Sequence, residues 1–155
     1  MTKKITGIAK LKGAPVINSR PLRKFKKIAT FYRGEDNVTS ILLEVADTEE
    51  SRRQGLMGRK DLPAICGMLF EGLHDGGYFW MKDCLIPIDV IFFDNLGNVT
   101  KTYSMPVDKT GLKHYHYDDD DVTAIEVAEG FVDKWGLTDE CRVEIRSLRK
   151  GSSNG

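Results

Sequence analysis

With 155 residues, 41% apolar and 30% charged side chains and a formal net charge of zero, the sequence has the composition of one globular domain in water. A domain of this size buries about two-thirds of the surface its unfolded chain exposes, so folding requires neither disulfides nor a metal. The longest apolar run, residues 85 to 93, is interrupted by Pro87 and Asp89 and is far too short to span a bilayer.

The first fifteen residues, MTKKITGIAKLKGAP, start basic but lack the apolar stretch of a secretory signal. Cys66, Cys84 and Cys141 cannot all pair within one chain and show no C-x-x-C spacing, which points to a reducing compartment, a cytoplasm. Zero net charge hides an uneven distribution. Residues 1 to 34 carry ten cations, among them Arg23, Lys24, Lys26 and Lys27, and no carboxylate. The other thirteen cations share residues 35 to 155 with all 23 carboxylates. A basic arm of this kind suits a polyanion, an acidic partner protein or the chain's own acidic body, and is also compatible with a solvated leader. The pieces ITGIAKL and IATFYR hold enough β-formers for short strands within it.

Val38 to Val45 reads as a strand. A short helix follows, capped by Asp47 or Thr48, with Glu50 three residues after Asp47 and Gly55 or Gly58 at its end. CGMLFEG and GGYFWMKD read as two more strands, with Gly76-Gly77 as the turn into the second. The run 86 to 93 pairs through the turn DNLGN with VTKTYSM. Residues 107 to 121 form a long polar connection, VTAIEVAEG a strand, and 129 to 135 one or two helical turns closed by Gly136. CRVEIRSL alternates Cys141, Val143 and Ile145 against Arg142, Glu144 and Arg146 as a half-buried strand does. The pattern predicts a mainly β, antiparallel, barrel-like single domain with two short helices and an N-terminal extension. The expected division is a basic arm over 1–37, a β domain over 38–148 and a frayed tail over 149–155.

Chemistry is densest in GGYFWMKDCLIPIDVIFFD, residues 76 to 94. There Trp80, Met81, Lys82, Asp83 and Asp89 are the candidate binding residues, and Cys84 is a nucleophile only if a base or cation generates its thiolate. The plainer reading puts Phe79, Met81, Ile88 and Ile91 in a core, Asp89 at a turn or strand crossing, and the other charges in water. His114, His116 and Asp118 would share one face of an extended segment, the best metal-ligand pattern present, but in an exposed loop no metal is expected. No phosphate-binding glycine motif occurs.

VADTEESRRQGLMGR, LP, GMLF, FWMKDCLIPIDVIFFD, GNV, MP and AIEVAEGF…GL occur in that order and resemble domain-of-unknown-function family 192, found in prokaryotes and some phages. The resemblance covers about residues 38 to 146 and implies a compact, mainly β, barrel-like domain without implying an activity. Asp83-Cys84 stands where the family usually has Asn-Thr, and Asp139-Glu140 where it has a Gly-Asp turn.

The function expected from these features is a non-catalytic binding or structural module. Its basic arm would tether it to a protein partner or larger assembly, such as a phage virion, and self-association is compatible with that role. Nucleic-acid binding through the arm is one alternative. The other is a small-molecule enzyme with a pocket near Trp80. No cofactor and no membrane attachment are expected.

Overall fold

In the computed structural model, residues 24 to 148 are described, so expectations about residues 1–23 (Arg23 included) and about the tail 149–155 lie outside the described residues. Among the described residues nine strands and two short helices follow in chain order: β1 Lys27–Arg33, β2 Asp36–Ala46, α1 Glu49–Gln54, β3 Cys66–Glu71, β4 Gly77–Trp80, β5 Ile88–Phe93, β6 Val99–Met105, β7 His114–Tyr117, β8 Thr123–Ala128, α2 Phe131–Trp135 and β9 Cys141–Ser147. Seven strands form one sheet in the order β6-β5-β8-β3-β2-β1-β9, and β4 and β7 form a separate two-stranded ribbon.

The expected mainly β fold with two short helices is present. The sheet, however, is mixed. β2 and β3 run parallel, Leu42 opposite Cys66 and Ala46 opposite Phe70, while every other pairing is antiparallel. A parallel pair requires a crossover connection, and residues 47 to 65 with α1 supply it. The barrel description holds only loosely. Edge strands β6 and β9 approach at the β5–β6 turn, where Asn98 bridges Arg142 and Val143 N–H donates to Gly97 O at 2.8 Å.

Two further expectations change. Part of the anticipated polar connection is strand β7, paired with β4 from Gly77–Tyr117 to Trp80–His114. Within the anticipated arm, β1 is an interior strand between β2 and β9. Its Ala29 and Phe31 are fully buried, so this segment belongs to the core despite the cations around it.

The central strands β3, β5 and β8 are buried on both faces. Pleat alternation sends Leu69, Ile91, Phe93, Ile125 and Val127 into one core, which α2 covers with Phe131. Met68, Phe70, Val90, Phe92 and Ala124 face the opposite way into a second core. The β4–β7 ribbon lies over this second core, its Phe79 ring meeting Phe70, Phe92 and Tyr117 with centroids 5.0, 5.4 and 5.9 Å away. The same alternation places one carboxylic acid, Glu126 of β8, on the face of the second core.

Candidate ligand pocket

Glu126 is the outcome of register. Its cross-strand neighbours are Met68 on β3 and Val90 on β5, both buried, and only 5% of its surface is exposed. The carboxyl lies under the end of α1. Gly55, at φ +46°, closes that helix, and a Cβ there would sit 3.5 Å from the Phe70 ring and 3.6 Å from Glu126 Oε1. Glu126 makes no hydrogen bond or ion pair among the described residues. Arg59 is the nearby cation, but Glu44 holds its guanidinium through two hydrogen bonds, the Nη2–Oε1 one 2.8 Å long. Burial pushes the Glu126 carboxyl up to about 8, with the Arg59 charge opposing only part of the effect. At neutral pH it is therefore mostly protonated.

The acid opens onto a cavity of about 320 Å³. Phe79, Trp80 and Tyr117 of the ribbon line it with Phe70, and Arg52, Arg53 and Gln54 of α1 stand at its mouth. Arg52 is half-buried and donates one hydrogen bond, from Nη1 to Glu71 O at 3.1 Å, but forms no ion pair among the described residues. Arg53 is exposed and lies 3.5 Å from Glu49, an equally exposed partner. A capping box fixes α1, with Ser51 N–H donating to Thr48 Oγ1 at 3.0 Å and Thr48 N–H to Ser51 Oγ at 2.9 Å. The arrangement combines an apolar ring-lined hollow, a buried neutral acid and an uncommitted guanidinium. It can hold a small molecule through ring contacts and two polar anchors.

The residues singled out in sequence take different places. Trp80 is in the pocket wall. Met81 is fully buried and packs in the second core. Lys82 is exposed, its ammonium 5.3 Å from the Trp80 ring centroid. Asp83 is also exposed, at φ +60°, and its backbone oxygen accepts from Gly58 N–H at 3.0 Å. Cys84 is buried, and its thiol is pushed up to about 11 by burial first and then by the charges of Glu126 and Asp83, so no reactive thiolate forms.

Asp89 leaves the group entirely. It is 3% exposed, and its Oδ2 accepts from Gly130 N–H and Val132 N–H, each at 3.1 Å, fastening the start of α2 to β5. Lys24 and Lys27 face carboxylates of their own sheet, 3.6 Å from Glu44 and 3.6 Å from Glu71. Lys26 is exposed, while its backbone bonds Leu43 and Leu148. His114 stacks on Tyr78 at 3.9 Å with an interplanar angle of 7°, His116 lies 6.2 Å from it, and Asp118 turns to Lys101 at 2.6 Å. Those three do not converge on one point. Among the described residues no three His, Cys, Asp or Glu side chains form a metal-sized cluster.

Of the residues that line the cavity, sequence reasoning singled out Trp80 and not Arg52, Tyr117 or Glu126. One signal for Glu126 was available. AIEVA sets a lone carboxylate in a run that reads as buried on both faces, where a charge lacking a partner is costly.

No helix among the described residues is long and apolar enough to cross a membrane. No curated protein matches the chain in sequence. Two solved structures share its fold. One, from Sinorhizobium meliloti 1021 and described as a "putative transcription regulator", has 22% identity and a TM-score of 0.69, covering 77% of this chain and 92% of its own. The other, a protein of unknown function from Novosphingobium aromaticivorans, has 23% identity and a TM-score of 0.67, with coverages of 76% and 83%. At these identities the likeness concerns the fold. The sequence itself matches the family DUF192, described as "Uncharacterized ACR", over residues 31–145, which takes in all but the first strands' beginning and the two ends, and the chain belongs to that family.

Proposed function

We propose that this protein is a binding module for a small organic molecule, held between the β4–β7 ribbon and α1. The observation that carries this reading is Glu126: an acid only 5% exposed, without a hydrogen bond or ion pair among the described residues, whose side chain lines a cavity. Buried polar groups are normally satisfied, and one left open beside a hollow is a place for a ligand atom. The aromatic lining favours a ring-bearing ligand. Binding is favoured over catalysis because the cavity presents one acid and no activated nucleophile: the neighbouring Cys84 thiol is held protonated.

Ligand-observed NMR with a library of small ring-bearing fragments tests this. Met57 lines the cavity, and Met57→Trp fills part of it. Several fragments are expected to bind wild type with dissociation constants of about 1 mM or tighter and to lose that binding in the variant. If no fragment distinguishes the two proteins, the cavity is not a binding site.

A further inference from the structure

The ligand's charge class follows from which pocket groups are already committed, an inference that rests on the binding reading above. Arg52 carries five N–H donors and makes one hydrogen bond, to a neutral carbonyl. It is half-buried and has no carboxylate partner among the described residues, whereas Arg59, beyond the end of the helix, is engaged by Glu44. A guanidinium with donors to spare pairs best with a planar two-oxygen anion, which it meets through parallel N–H···O bonds. Glu126 is the one acid that lines the cavity among the described residues, and burial keeps it mostly protonated at pH 7, so it repels an anion there only weakly.

Arg52 and Glu126 line the same hollow without pairing with each other. Size narrows the choice. A cavity of about 320 Å³ lies at the small end of the range for small-molecule pockets, which suits one ring with short substituents.

We infer that the pocket takes a small ring-bearing carboxylate, its anionic end on the Arg52 guanidinium, its ring against Phe79, Trp80 and Tyr117, and a polar ring substituent on the Glu126 carboxyl. A cationic ligand would meet Arg52 and Arg53 at the mouth and lose affinity.

Three probes of nearly the same size separate the classes: 4-hydroxyphenylacetate, phenylacetate and tyramine. Titrating each into the full chain at pH 7, with the amide shifts of Gly55 and Gly72 locating the site, reads affinity directly. The hydroxylated acid is expected to bind about tenfold more tightly than tyramine. Arg52→Gln should erase that preference, and Glu126→Leu should erase the advantage of 4-hydroxyphenylacetate over phenylacetate. Tyramine binding as well as or better than the acids overturns the carboxylate class while leaving the cavity a binding site. No shift with any probe overturns the inference, and the fragment comparison with Met57→Trp then shows whether the binding reading falls with it.

Discussion

Glu126 ionises near its ordinary 4.5 in an unfolded chain and at about 8 in the folded protein. Its contribution to stability is therefore fully present below pH 4.5. It is lost as pH rises from about 4.5 to 8, because the unfolded chain releases the proton first, and is constant above that. Over that window the loss amounts to about 3–5 kcal/mol. Glu126→Gln should flatten this slope and make the protein more stable than wild type at pH 9, as urea unfolding between pH 4.5 and 9 will report. A wild-type slope in the variant would mean the carboxyl is not buried as described. Asp89 shows the opposite use of a buried acid. Two backbone N–H groups at the start of α2 donate to its Oδ2 and tie that helix to β5, while its Oδ1 has no hydrogen-bonding partner among the described residues. Residue types alone could not separate these two acids, since both occupy apolar strands. What differs is the partner each one meets in space.

Helix α1 is only six residues long, yet it presents Arg52 and Arg53 to the pocket and closes at Gly55 beside Glu126. Isolated helices of this length are unstable, so its position depends on its caps and on packing. The sequence pattern offered two N-caps, and the structure selects Thr48, with extended backbone at φ −112° and ψ 160°, paired with Ser51 and not with Glu50. Thr48→Ala should cost about 1 kcal/mol and lower the melting temperature by a few degrees. It should also broaden the Arg52 side-chain signals in NMR spectra. A melting temperature equal to wild type would show that packing alone fixes the helix. The ribbon was only half legible in the same way. GGYFWMKD announced β4, but its partner HYHY was hidden in a polar stretch. Tyr115 and Tyr117 turn inward while His114 and His116 face outward, a period-two alternation that the surrounding polar residues 107 to 121 obscure in the sequence.

At the scale of the molecule, the seven-stranded sheet curls until its two edges touch at the β5–β6 turn. Gly97, at φ +86°, makes that approach possible, because a Cβ there would stand 2.6 Å from Val143 O. Gly97→Val combines left-handed strain with that clash and should destabilise the fold by about 2–4 kcal/mol. The Val143 amide, which donates to Gly97 O, should lose most of its protection in hydrogen exchange. Full protection of that amide in the variant would show that the edges are held together elsewhere. The sequence by itself determined the family, the mainly β class, the DNLGN hairpin and both helices, because periodicity, turn chemistry and family motifs are local and survive in one dimension. Only the tertiary structure decided that β2 and β3 run parallel, that the cation-flanked Lys27–Arg33 is an interior strand, and that Arg52, Tyr117 and Glu126 border one cavity. Strand order and register bring together groups from α1, β3, β4, β7 and β8, and no spacing within the sequence encodes their meeting.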